Sequence, residues 1–274
     1  MKNFSKIVWI VALIAVLVLI SKVLYGYYKK ATLEVVNPVA TMEVKDFGTV
    51  KMELYPENAP ETVANFIALS NRGFYDGKTF HRIVKDFMIQ GGDKKGDGTG
   101  SASISDLRDL KEGEEDREYT IKGEFTANKV DNKLRFEEGT LAMARSDYSQ
   151  YSPSLKEQSY NSGSSQFFIM TKENSTLNGQ YTAFGKVIEG MDVVHKIEEV
   201  EVKAKTDENS DEASKASASQ EVSTPVDPPV ITSIRVETNG TDYGLPKTLE
   251  PFDYMSWMYK NYGMNAGTTT TVGE

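Results

Sequence analysis

The 274 residues include no cysteine and two histidines, His81 and His195. Without cysteine there are no disulfides, thiolate nucleophiles, zinc–thiolate centres or lipoprotein-type anchors. A serine hydrolase relay would have to use one of the two histidines, and a histidine-rich metal site cannot be assembled. No metal and no cofactor is therefore expected. Forty acidic residues against 31 basic ones leave a net charge of −9. A nucleic-acid binder needs the opposite, a basic stripe that displaces counterions from phosphate, so nucleic acid is not an expected partner. Fixed hydrogen-bond donors beside apolar surface are among the chemistries these residue types still offer.

Four segments carry such groups. They are Phe80-His81-Arg82-Ile83-Val84-Lys85-Asp86-Phe87-Met88-Ile89-Gln90-Gly91-Gly92-Asp93, Leu141-Ala142-Met143-Ala144-Arg145, Gly163-Ser164-Ser165-Gln166-Phe167-Phe168-Ile169, and Phe184-Gly185-Lys186-Val187 with Gly190-Met191. In this order they closely resemble the signatures of cyclophilins, over about residues 38–236. The resemblance implies a mainly β fold, a closed eight-stranded antiparallel barrel capped by two helices near 60–71 and 191–197. It also implies peptidyl-prolyl cis/trans isomerase activity on proline-containing polypeptides.

The resemblance assigns roles residue by residue. Rotation about the bond before proline is opposed by about 20 kcal/mol, because twisting destroys amide resonance. In the twisted state the proline nitrogen regains a lone pair, and a fixed donor aimed at it stabilises that state more than the planar one. Arg82 matches the donor: its guanidinium holds several N–H groups in a rigid fork and stays charged. Phe87, Met88, Phe168 and Leu177 match the wall of the proline pocket. Spacing alone does not separate these apolar residues from ordinary core. Gln90 and Gln166 match groups that bond the substrate backbone, and Ala144 and Arg145 offer backbone contacts. Tyr181 stands where the best-known members have histidine, Arg145 where asparagine is common, and Thr176 where many carry tryptophan. The last change implies weak cyclosporin inhibition. His81 matches a structural position.

The elements that must position these residues are also legible. Val50, Met52 and Leu54 alternate with Lys51 and Glu53 after a turn at Asp46-Phe47-Gly48, which predicts a half-buried strand. Asn58 and Pro60 open a helix that Gly73 stops. Strands are predicted at Phe80–Val84, Leu141–Ala144, Gln166–Met170 and Ile231–Val236. Residues 101–120 read as an acidic loop, and 147–162 as a long insertion overhanging the groove. Residues 203–224, rich in Ser, Ala, Lys and Glu, read as a disordered insertion. Residues 237–274 form a tail whose aromatic residues are expected to dock on the domain.

Ahead of the domain lie a short basic N-terminus (1–6), an apolar segment (7–28) and a linker (29–37). Ile7 to Ile20 is apolar without interruption, and a helix from Ile7 to Tyr28 would run about 33 Å, enough to cross a ~30 Å hydrocarbon core. The reading is a bacterial form, a single-pass anchor in the lipid bilayer or a cleaved signal, with a monomeric catalytic domain on the extracytoplasmic side. Folding of exported proteins is the expected role. A non-catalytic proline-peptide-binding or scaffold module at the membrane would use the same groove, and retention of Arg82 favours the enzyme.

Overall fold

The structure, a computed structural model, describes residues 9, 13–25, 36–204 and 222–262. The chain divides into two units, Met1–Val36 and Asn37–Glu274. In the first unit residues 13–25 form helix α1, with exposed side chains. No helix among the described residues is long and apolar enough to cross a membrane, so the expected transmembrane helix is corrected. Residues 7, 8, 10–12 and 26–28 of the expected segment lie outside the described residues.

The second unit opens with β1 (Val39–Val44) and β2 (Gly48–Leu54), then α2 (Pro60–Asn71), β3 (Phe80–Val84) and β4 (Met88–Gly91). After these come α3 (Ile104–Leu107), β5 (Thr120–Ile121), β6 (Thr140–Met143), α4 (Lys156–Tyr160) and β7 (Phe167–Met170). β8 (Thr182–Glu189), α5 (Met191–Glu198), β9 (Val202–Ala204) and β10 (Val222–Pro225) follow. β11 (Ile231–Glu237), β12 (Thr248–Leu249) and α6 (Tyr254–Tyr262) complete it.

Eight strands form one antiparallel sheet in the order β11-β1-β2-β8-β6-β7-β4-β3. The fold is mainly β as expected, but the sheet is open, which corrects the closed barrel. Its edge strands, β3 and β11, share no ladder. They meet where the two strands begin, at an isolated Thr79–Val230 bridge, where Gly77 donates to Ile231, Ile231 to Lys78 and Phe80 to the carbonyl of Pro229. Pro228 and Pro229 have no N–H to extend that pairing. β10 packs beside β3 instead, covering the open edge. Residues 203–224 also differ from a wholly disordered insertion. Their ends pair as β9 and β10, with Val222 opposite Ala204 and Thr224 opposite Lys203, while residues 205–221 lie outside the described residues.

Strand alternation builds the core. In β1 and β2 every second residue is buried, as period-2 side-chain placement requires. The reversal between them puts Asp46 at φ 65° and Gly48 at φ 124°; the latter conformation suits glycine. α2 lays Val63, Phe66 and Leu69 into this core. Phe66 meets Phe184 at 5.2 Å, Tyr75 at 5.3 Å and Phe167 edge-on at 5.6 Å.

The first turn of α2 is satisfied from a distance. Ala59 at its start has no capping side chain. The carboxylate of Glu124 accepts from the backbone N–H of Glu61 (3.0 Å) and Thr62 (2.8 Å) and from the Thr62 hydroxyl (2.7 Å). Burial pushes the Glu124 pKa up, and the three donors pull the other way. Helix N-termini favour such an acceptor because their first N–H groups have no intrahelical partner. Glu124→Ala leaves buried donors unmet and is expected to lower stability by about 1–3 kcal/mol, read as a shift in the urea unfolding midpoint.

Candidate active site

Cross-strand register assembles the site. Arg82 on β3 stands opposite Gln90 on β4, Gln90 opposite Phe168 on β7, and Phe168 opposite Ala142 on β6. Opposed residues share a face, so Arg82, Gln90, Phe168 and Ala142 form a row. Their chain neighbours Ile83, Ile89, Phe167 and Leu141 point the other way, into the main core. A second, smaller cluster lies on the row's face, built on Met88, Phe136, Ala142, Phe168, Met170 and Ala183. Phe87, Ala144, Leu177 and Tyr181 are partly buried against it.

This second cluster is hollowed by a cavity of about 180 Å³. Nine of the ten residues singled out in the sequence line it: Arg82, Phe87, Met88, Gln90, Ala144, Arg145, Phe168, Leu177 and Tyr181. The tenth, Gln166, lines an adjoining polar cavity of about 270 Å³, together with Thr99, Ser146, Ser162 and Ser164. Gln90, Ala144 and Arg145 border both. The apolar floor is firm. Phe168 stacks on Phe136 at 6.1 Å and meets Tyr181 edge-on at 5.9 Å.

A chain of hydrogen bonds orients the polar groups. The Asp93 carboxylate accepts from the backbone N–H of Asp97, Gly98 and Gly100 at 2.8, 3.1 and 2.6 Å, gathering the glycine-rich loop around it. Its Oδ1 also accepts from Gln166 Nε2 at 3.0 Å. That leaves Gln166 Oε1 to accept from Gln90 Nε2 at 2.9 Å, and Gln90 Oε1 to accept from Arg82 Nη1 at 3.3 Å. The guanidinium also reaches Met88 Sδ at 3.5 Å. A carboxylate only accepts, so each amide has one satisfactory orientation. Asp93 closes the first sequence motif, and its role emerges only from these bonds. The signal for it was an Asp heading a glycine-rich run, a pattern in which the side chain bonds nearby backbone. Gly100 is required there, since a Cβ would meet Asp93 Oδ1 at 2.6 Å and Lys95 N at 2.7 Å.

Arg145 does more than lend its backbone. Its guanidinium lies over the rings of Tyr181 (4.4 Å), Tyr160 (5.3 Å) and Phe125 (5.9 Å), a cation–π arrangement. It donates to the carbonyl of Gln180 at 3.2 Å. Thr176 is exposed in a short turn capped by Asn174.

The turn that presents Phe87 is pinned from α5. Asp86 there has φ 57°, and its N–H donates to Glu198 at 2.6 Å. The same carboxylate accepts from the Thr171 hydroxyl. His195 bonds Glu198 through Nδ1 at 3.1 Å and Glu138 through Nε2 at 2.8 Å. Hydrogen bonds to Glu198 and then Glu138 raise the His195 pKa above its ordinary 6.5. His195 has no place at the cavity; it ties α5 to Glu138, just ahead of β6.

With these features in view, the comparisons are direct. The site is thus an arginine beside an apolar cavity on one face of an open antiparallel sheet. A family model described as cyclophilin type peptidyl-prolyl cis-trans isomerase/CLD matches residues 39–219. The chain belongs to the cyclophilin-type peptidyl-prolyl cis-trans isomerases. It is 39% identical to peptidyl-prolyl cis-trans isomerase B of Bacillus subtilis over 149 residues, 54% of this chain and 82% of that one. It is 38% identical to peptidyl-prolyl cis-trans isomerase 9 of Schizosaccharomyces pombe over 154 residues, 56% of this chain and only 21% of the larger relative. A cyclophilin-type isomerase of Cryptosporidium parvum, crystallised in the presence of the dipeptide Ala-Pro, superposes with a TM-score of 0.52 at 26% identity, covering 73% of this chain and 98% of that one.

Two outcomes are expected. Gln90→Ala removes the group that orients Arg82 and should lower kcat/KM on a proline peptide by about tenfold, the loss of roughly one hydrogen bond. For His195, the pKa is raised on folding, so its stabilising contribution is complete below pH 6.5 and is lost as pH rises through the folded value. Melting temperature measured between about pH 5.5 and 9 should fall over that interval in the wild type relative to His195→Gln.

Proposed function

We propose that the chain accelerates rotation about X-Pro bonds in polypeptides, with Arg82 as the catalytic donor. The observation that carries this reading is the register that sets Arg82 and Gln90 beside the apolar cavity of Met88 and Phe168. A proline ring in the cavity brings its nitrogen toward the guanidinium. As the amide twists, the nitrogen becomes pyramidal, and a charged N–H donor held in advance stabilises it without reorganising. Phe87, Leu177 and Tyr181 enclose the ring, and Gln90, Gln166 and the Ala144–Arg145 backbone bond the flanking peptide. No proton leaves the arginine and no covalent intermediate forms.

The cellular role we infer is assistance to the folding of exported proteins. It is supported by Lys2 and Lys6 ahead of the apolar run Ile7 to Ile20 and by the absence of cysteine, a composition indifferent to an oxidising compartment. Mass spectrometry of the cell-envelope and secreted fractions, reading location and mature N-terminus, tests it; a wholly cytoplasmic protein would overturn it.

Cis-to-trans relaxation of a short Ala-Pro peptide, followed with wild type and Arg82→Ala, tests the activity. The variant is expected to lose about a hundredfold or more in kcat/KM while remaining folded. A wild type that binds the peptide without accelerating relaxation would replace the enzyme with a proline-peptide-binding module.

A further inference from the structure

Beyond β11 the chain turns back onto the loop that walls the polar cavity. β12 pairs with β5, Thr248 opposite Ile121 and Leu249 opposite Thr120. Ile121 also donates its N–H to Gly163 at 2.8 Å, so β5 joins the C-terminal strand to the base of loop 147–162. The approach is fastened by Lys247 N–H to Glu61 at 2.6 Å and by an ion pair between Arg117 and Glu250. Further along, aromatic rings reach the tip of the loop. Phe252 lies 5.1 Å from Tyr148, and Tyr254 lies 4.5 Å from Tyr151 and stacks on Tyr148 at 6.3 Å. Trp257 backs both, 6.1 Å from Tyr254 and 6.4 Å from Phe252.

The loop transmits this clamp inward. Tyr148 N–H donates to Ser159 Oγ at 2.8 Å, Ser162 Oγ donates to the Ser159 carbonyl at 2.8 Å, and Ser146 N–H donates to Ser162 Oγ at 2.8 Å. Ser146 and Ser162 are wall residues of the polar cavity. Leu155 and Tyr160 are buried beneath the loop, but Tyr151 at its tip is 51% exposed. The body of the loop thus has its own core, whereas its tip is held by rings from the tail.

We propose that residues 248–262 are a specificity strap. By holding Tyr148 and Tyr151, the strap fixes the Ser146–Ser162 wall and so decides which side chain flanking the proline the polar cavity accepts. Tyr148 and Tyr254 are positioning residues, and neither lines the catalytic cavity. The inference rests on the isomerase reading above.

The test uses the full-length chain and a series of proline peptides that differ only in the flanking residue, read by kcat/KM and by calorimetric Kd. Tyr254→Ala is expected to change the ratio between the best and worst peptides by about two- to tenfold through KM, the worth of one or two aromatic pairs. The rate on a plain Ala-Pro peptide should stay within about twofold, because the catalytic cavity is not altered. Tyr254→Phe should restore the wild-type ratios, and adding Tyr148→Ala to Tyr254→Ala should change little, as coupled residues are not additive. Unchanged ratios, or one uniform fall across all peptides, overturn the strap. If Tyr254→Ala does not fold, the exposed Tyr151→Ser is read the same way. A wild type that binds but does not isomerise sinks the isomerase reading alone, since the Kd ratios still decide whether the strap sets selectivity.

Discussion

Arg82, Gln90, Phe168 and Ala142 are successive cross-strand partners on β3, β4, β7 and β6, and the site depends on that ladder. Side chains alternate across a pleated strand, so a slip of one residue would turn Arg82 into the core and carry Ile83 outward. The register is held from the opposite face. There Ile83, Ile89, Phe167, Ile169 and Leu141 belong to one buried cluster that also includes Phe66 of α2. Burying those residues is what keeps the guanidinium and the apolar cavity side by side.

On the functional face the organising group is Asp93. It is 2% exposed, yet every bond it receives comes from a donor. Through Gln166 and Gln90 its acceptor character is passed along two amides, so that Gln90 presents an oxygen to Arg82. An isolated guanidinium on a half-exposed strand would sample many rotamers. A donor already aimed before the substrate arrives costs no reorganisation when the amide twists. The same carboxylate folds the glycine-rich loop that edges the polar cavity, which ties the orientation of the catalytic group to the shape of its neighbour.

The open sheet has a simple origin. Pro228 and Pro229 precede β11 where pairing with β3 would otherwise continue, and a proline has no N–H for a ladder. Covering β3 with β10 solves the problem of an exposed edge without closing the sheet. The N-terminal segment also departs from its expectation. Uniform apolarity from Ile7 to Ile20 reads as a span, but no helix among the described residues is long and apolar enough to cross a membrane.

Much was determined by sequence alone. Alternation in Val50–Leu54 and Phe80–Val84, proline at the start of α2 and the four ordered motifs were enough for the mainly β architecture, the family and the ten residues around the groove. The strand alternation is a local signal of period two, whereas the family and the ten residues rest on the resemblance that the motifs carry. Tertiary structure alone decided what depends on partners distant in sequence. It set Arg145 over the rings of Tyr181, Tyr160 and Phe125. It gave Asp93 its place at the head of the polar chain, joined Glu124 to a helix 63 residues earlier, left the sheet open and brought Tyr254 onto Tyr151. Hydrogen-bond chains and ring contacts of this kind have no sequence period, because they are set by where the packed sheet brings the backbone back on itself.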